Sequence, residues 1–180
     1  MTDLFGPLTN GTEPAALTDP PVEVPRLRFY IAGTYADLPR LRTFADKLTG
    51  LGHEVTASWL HDDAHNPTLV FGEADEAGDA ARRKYAVTKL QDIIRANGFI
   101  LFGEPEAPPF GEAEAHLPAD CTERHVEFGY AMAGDKAIFV IGDKENNFHY
   151  LLGDGMHYAT EQAFLDTLDT IANQDVVAPA

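Results

Sequence analysis

Three short apolar runs, each closed by glycine, constrain this chain more than any other feature. They are "LRFYIAG" (residues 27–33), "FILFG" (99–103) and "KAIFVIG" (136–142). None alternates apolar with polar residues, so neither face of such a strand is suited to water. Strands of that kind belong to parallel sheets covered on both sides. Between them the spacing turns helical. Leu38, Leu41, Phe44, Ala45, Leu48 and Leu51 recur at three- and four-residue intervals until "GLGHE" ends the pattern. A second helix is expected over residues 79–97, with Val87, Leu90, Ile93 and Ile94 on its buried face. A third is expected to start near Thr122 or Glu123, and a closing amphipathic helix to bury Phe164, Leu165, Leu168 and Ile171. "EVTASWL" (54–60) and "MHYA" (156–159) supply two further strands. The expected fold is α/β with three layers: about five parallel strands with helices on both faces, flavodoxin- or Rossmann-like.

The 180 residues suffice for one such domain and fall short of two. Residues 1–25 hold Pro7, Pro14, Pro20, Pro21, Pro25 and four acids without periodicity, and are expected to form an extended or disordered arm. The domain is then expected over 26–174, with 175–180 as a tail. The arm has no basic residue and no compact apolar stretch, so it does not read as a signal peptide. No apolar run reaches the roughly 18 residues of a membrane span. Cys121 is the only cysteine, which excludes an intrachain disulfide and fits a reducing compartment. A soluble cytoplasmic protein is expected. The balance of 13 Lys and Arg against 29 Asp and Glu leaves a formal charge of −16. That field repels nucleic-acid polymers and anionic membranes. Small nucleotides are still admitted where positive charge or helix N-termini gather.

In open parallel sheets, ligands bind at the carboxyl ends of the strands, near the point where the strand order reverses. Chemistry is therefore sought just after Gly33, Trp59, Gly103 and Gly142. In "FYIAGTYADLPRL", Gly33 permits a sharp turn that sets Thr34 and Tyr35 at the mouth. The same residues also suit a plain strand-to-helix joint with Asp37 as N-cap. The segment is too short and too poor in glycine for a dinucleotide fingerprint or a P-loop. In "TERHVEFGYAMA", Glu127 lies between Val126 and Phe128, with Gly129 beyond it to permit close packing. A helix start favours anions, which alone would account for Glu123 and Glu127. A carboxylate in apolar company can equally be desolvated and aimed into a cleft.

The long loop 61–78 carries His61, Asp62, Asp63 and His65, with His53 just before it. Their spacing matches no compact metal site, and His116, His125, His149 and His157 form no H-E-x-x-H array. No metal and no cofactor is expected. Cys121 near His125 lacks the context of a nucleophile pair. Arg82, Arg83 and Lys84 form the one basic cluster, suited to an anionic ligand or to pairing with "EADEAGD". "GDKENNFHYL", which begins at Gly142, offers Asn146 and His149 to a base or sugar, or is simply a polar turn.

Taken in order, "FYIAGTY", "LQDIIRANGFILF" and "HVEFGYAMAGDKAIFVIG" resemble the nucleoside 2-deoxyribosyltransferase superfamily, whose relatives include deoxynucleoside 5′-monophosphate N-hydrolases. The resemblance spans residues 27–172 and is most specific at Glu127-Phe128-Gly129-Tyr130-Ala131. It implies a five-stranded parallel sheet in a homo-oligomer whose neighbouring subunit helps close the site, and a small-molecule nucleoside or nucleotide as ligand. It also implies that Glu127 matches the family's nucleophile. That carboxylate attacks C1′ of a 2′-deoxynucleoside, expels the base and holds a glycosyl ester until water or a second base takes the sugar. Tyr30 or Tyr35 falls where the family has an aromatic hydroxyl near the nucleophile.

One departure stands out. The family's D-L-x-x-I-x-x-A-D reads K-L-Q-D-I-I-R-A-N here, so Lys89 replaces the proton-donating or base-binding Asp and Asn97 the later one. Asp92, three positions on, could substitute only if the helix were rotated or shifted. A second acidic position ahead of the nucleophile meets Asp120 and Cys121 without a clean match. Lys89 could bind a phosphate, donate a proton or pair with acids, and it turns the expectation toward nucleotides. The expected function is transfer or hydrolysis at an N-glycosidic bond. Glu127, Tyr30, Tyr35 and Asp92 are the catalytic candidates, and Gly33, Thr34, Lys89, Asn146 and His149 the substrate-binding ones. The alternatives are a non-catalytic nucleotide or nucleotide-sugar binding protein on the same fold, or a structural or regulatory oligomer that meets a partner through its acidic arm and loops.

Overall fold

The computed structural model describes residues 26–61, 76–103, 119–144 and 147–174. The expected arm, most of the 61–78 loop, the acidic stretch 104–118 and the tail lie outside them. The first apolar run forms β1 (Arg28–Ala32), followed by helix α1 (Leu38–Gly50) and the two-residue strand β2 (Glu54–Val55). Then come α2 (Glu76–Arg95), β3 (Gly98–Phe102), α3 (Ala119–Ala133) and β4 (Ala137–Ile141). A short β5 (His157–Tyr158) and α4 (Glu161–Gln174) are the last of the described elements. The five strands form one parallel sheet in the order β2-β1-β3-β4-β5, the expected α/β architecture.

Register carries the apolar pattern to both faces. Phe29 pairs with Gly98 and Tyr30 with Phe99. On one face Phe29 meets Phe164 of α4 at 6.0 Å between centroids, and Phe44 of α1 meets Phe102 at 5.1 Å. On the other, Tyr30 stacks on Phe99 at 5.6 Å, and Phe99 meets Phe128 of α3 at 6.4 Å. Helix α1 buries Leu38, Leu41, Phe44, Ala45 and Leu48 as its spacing predicts. It stops because Gly52 adopts φ 89°, which lets its N–H reach Thr49 O and that of His53 reach Leu48 O.

The second strand is shorter than the sequence predicts. After Val55 the chain leaves the sheet and turns through the 3₁₀ segment Ser58–Leu60. Polar Thr56 and Ser58 find partners there that the edge of a sheet lacks. The Thr56 hydroxyl donates to Asp92 O at 2.9 Å, and the Ser58 N–H and hydroxyl donate to the Asp92 carboxylate at 2.9 and 2.6 Å. Trp59 is thereby turned inward, its indole N–H donating to Ile31 O at 3.0 Å.

Helix α2 also departs from expectation. Of Val87, Leu90, Ile93 and Ile94, only Ile93 is buried. The inward stripe runs instead through partly buried Tyr85 and Lys89 to Asp92, Ile93 and Ala96. Helix α3 begins at Ala119, so Glu127 lies about two turns inside it and outside the reach of the N-terminal N–H groups. In α4, Phe164, Leu165 and Leu168 are buried while Ile171 is exposed. Among the described residues no helix is long and apolar enough to cross a membrane.

The carboxyl ends of β3 and β4 come together backbone to backbone. A Cβ at Gly103 would stand 2.1 Å from Asp143 O, and Gly142 takes φ 99° beside Gly103. Gly129, by contrast, has no described atom within 4 Å of its would-be Cβ. We expect Gly103→Ala to cost about 2 kcal/mol or more through forced backbone movement. Gly129→Ala should stabilise by about 0.5–1 kcal/mol as a helix-interior replacement. Denaturant midpoints of the two variants check both signs.

Candidate active site

The strand order reverses between β1 and β3, and a cleft opens at their carboxyl ends. Its walls are Gly33, Tyr35, Trp59, Tyr85, Lys89, Glu123, Arg124 and Glu127. Each reaches it for a local reason. Gly33 ends β1, and Tyr35 opens the following 3₁₀ turn, 6.2 Å from the Trp59 ring. Tyr85 and Lys89 stand four residues apart on α2, hence on one face. Glu123 and Arg124 stand four and three residues before Glu127 on α3, which places both beside it.

Glu127 is 8% exposed, and its Oε1 lies 2.8 Å from the Lys89 ammonium. The same ammonium donates to Glu123 Oε2 at 2.9 Å and sits over the Tyr85 ring at 4.6 Å and the Trp59 ring at 5.6 Å. Beneath them is the fully buried Tyr30 hydroxyl. It faces Glu127 without a well-aligned hydrogen bond to any described group. Burial raises the Glu127 carboxyl above its ordinary value, and the Lys89 charge, then the Tyr30 hydroxyl facing it, offset only part of that push. Burial pulls Lys89 down, but the charges of Glu127, Tyr85 and Glu123 outweigh it and raise the ammonium above the usual lysine range. Tyr30 is raised well above a normal phenol, first by burial and then by the Glu127 charge. The arrangement is a buried carboxyl group paired with one lysine, beside a phenol that keeps its proton.

Of the residues singled out from sequence, Gly33, Tyr35, Lys89 and Glu127 line the cleft, and Tyr30 lies under it. Thr34 is buried with its hydroxyl directed at Asp37, 3.4 Å away. Asp92 is 1% exposed and does not line the cleft; Ser58 and Arg95 occupy its carboxylate. Asn97 accepts from the Arg28 N–H and guanidinium at 3.3 Å. His149 is covered by Phe128 at 4.9 Å and His125 at 6.1 Å, apart from the cleft lining. Asn146 lies outside the described residues. Arg82 pairs with Asp79 at 2.8 Å, the local pairing that its acidic neighbourhood suggests.

Tyr85 and Arg124 went unnoticed in the sequence, and Glu123 reads there only as a helix-start charge. The available cue was the pair of four-residue spacings, Tyr85 to Lys89 and Glu123 to Glu127, on helices that face each other. Among the described residues, no three His, Cys, Asp or Glu side chains converge as a metal site. His53 is buried, with its Nδ1 accepting from the Leu27 N–H and its ring edge-on to Phe29 at 5.5 Å.

Burial and the nearby charges of His125, Arg124, His157 and Lys144 lower His149 to about 4. An imidazole held neutral in the fold binds its proton first in the unfolded chain. Its stabilising share is complete above the ordinary value of 6.5 and is lost as pH falls from there through about 4. We expect the thermal stability advantage of wild type over His149→Asn to shrink across that interval, as followed by melts at graded pH.

No protein-family model matches the chain, and no curated protein matches it. Among solved structures it is similar to the Clostridium botulinum CMP N-glycosidase BcmB, at 18% identity and a TM-score of 0.46, over 79% of this chain and 98% of that one.

Proposed function

We propose that the protein cleaves or exchanges the N-glycosidic bond of a 2′-deoxynucleoside or deoxynucleotide, with Glu127 as nucleophile. The observation that carries this reading is a nearly buried, lysine-paired carboxylate at the switch point of a parallel sheet, with a buried phenol below it. It accords with the sequence resemblance, in which Glu127 takes the nucleophile's position.

A Glu127 oxygen attacks C1′, and the C1′–N bond breaks with its electron pair leaving on the base. The base takes up a proton, and the sugar remains as a glycosyl ester. Water or a second base then attacks C1′, the ester C–O bond breaks, and its electrons return to Glu127. Two displacements retain configuration. Tyr30 and Lys89 are both held above their ordinary values and are weak proton donors. Glu123, the more exposed of the two carboxyl groups, is better situated: it takes a proton from solvent, gives it to the departing base and receives one from the incoming water. It bonds the same ammonium as Glu127, so the two carboxylates are no farther apart than the sum of those two contacts. Two carboxyl groups at close range suit a retaining displacement.

The homo-oligomer belongs to the same proposal. Val87, Leu90 and Ile94 (56% exposed) on α2 and Val126 (68%) and Tyr130 on α3 are exposed apolar residues on neighbouring helices, and Ile94 and Tyr130 line one groove. A second copy of the chain is the occupant that a self-complementary patch of this kind suits. A second functional reading, a nucleotide-binding protein without turnover, is favoured by the Lys89 ammonium bonded directly to Glu127.

Deoxynucleosides and their 5′-monophosphates, offered with and without an acceptor base, should yield free or exchanged base. Glu127→Gln should lower that rate by roughly a thousandfold or more, and Glu123→Gln by about 10²–10⁴-fold, most for poor leaving bases. Binding without base release across the panel would favour the second reading. By light scattering, wild type should have a multiple of the monomer mass, and Ile94→Glu with Val126→Glu should restore the monomer.

A further inference from the structure

We infer that Lys89 is an exchangeable counter-ion: in the unliganded chain it covers Glu127 and fills the cleft, and an anionic ligand group draws it away to expose the carboxylate. The inference rests on the nucleotide reading above and names the ligand chemistry as a phosphate monoester.

Geometry carries it. The ammonium is held between Glu127 and Glu123 at 2.8 and 2.9 Å, with the Tyr85 and Trp59 rings over it. About 20 Å³ of free volume is left in the cleft, room for one water and far too little for a sugar. A reacting carbon must come within about 3–3.5 Å of the attacking oxygen. The approach to Glu127 Oε1 is the one that the ammonium occupies, so no sugar carbon reaches that oxygen until Lys89 moves.

The side chain is suited to leaving. Lysine is a point charge on a flexible four-carbon stem, without the planar fork that locks arginine onto a carboxylate. A phosphate monoester offers it roughly two negative charges and three acceptor oxygens, a stronger partner than either carboxylate. Once vacated, the space is bounded by two aromatic faces and two carboxylates, surroundings that favour positive charge. The charge that develops at C1′ then stands where the ammonium stood. Ligand binding and exposure of the nucleophile become one event, and a nucleoside without phosphate has nothing with which to draw Lys89 off.

Inorganic phosphate is the first probe, because it needs no recognition of sugar or base. In protein carrying ¹³C-labelled glutamate carboxyls, phosphate should move the Glu127 resonance in wild type and leave it in place in Lys89→Met. By calorimetry, wild type should prefer a deoxynucleoside 5′-monophosphate over its nucleoside by about tenfold or more. Lys89→Met should erase that preference by gaining affinity for the nucleoside as it loses affinity for the monophosphate. If Lys89→Met does not fold, Lys89→Arg, which forks onto both carboxylates, should keep the cleft shut and lose about tenfold in monophosphate affinity. A phosphate-insensitive Glu127 resonance in wild type overturns the exchange, as does a Lys89→Met protein that keeps the preference or loses both ligands alike. Where only Lys89→Arg folds, wild-type affinity in it does the same. Intact exchange with no base release across the panel sinks the N-glycosidic reading alone.

Discussion

Because β1 and β3 lie side by side at the middle of the sheet, with every residue from Gly98 to Phe102 buried, the chain must leave them toward opposite edges. That reversal leaves a gap at their carboxyl ends which no crossover connection fills. Helices must also cover both faces of strands that carry no polar alternation. From one side come α1 and α4 with their aromatic contacts to Phe29 and Phe102. From the other come α2 and α3, and these bring Lys89 and Glu127 over the gap. The site thus follows from strand pairing before any of its residues is considered.

Two acids are nearly buried on that side of the sheet, and the fold treats them differently. Asp92 is fixed by the Ser58 backbone N–H and hydroxyl, and Arg95 adds a charge. Those bonds pin the chain after β2 to α2, a structural use of a carboxylate. Glu127 has a single flexible cation as its main partner and a phenol without an aligned bond below it. Leaving a buried charge without a fixed set of donors is costly. Its pairing with Lys89 offsets part of the cost of that burial, which gives Lys89 a role that no solvated helix lysine has.

The strands were legible because their composition is unambiguous. "FILFG" can be nothing but a two-sided buried strand once glycine closes it, and its neighbours share that pattern. The helix α1 stripe was equally plain, since all its apolar residues face one way. Helix α2 was misread for a physical reason. A search for apolar spacing selects Val87, Leu90 and Ile94, yet the side turned to the sheet carries Tyr85, Lys89 and Asp92. Apolar periodicity locates a core-facing stripe only when the core needs apolar groups from that helix. Here β1 and β3 already fill it, and the helix faces a polar cleft.

Glu127 marks the division most clearly. The amino-acid order alone determined that a carboxylate would stand among apolar neighbours on the helix before the fourth strand, in a chain built as a parallel sheet. Only tertiary structure decided that α3 starts a full turn or so earlier, so that Glu127 is an interior group and not a helix-start charge. Only tertiary structure brought Lys89, 38 positions away in the sequence, to within 2.8 Å of it. Local sequence encodes what a segment can bury. Which charge meets which depends on how two helices cross on one face of the sheet, and that is set by packing across the whole domain.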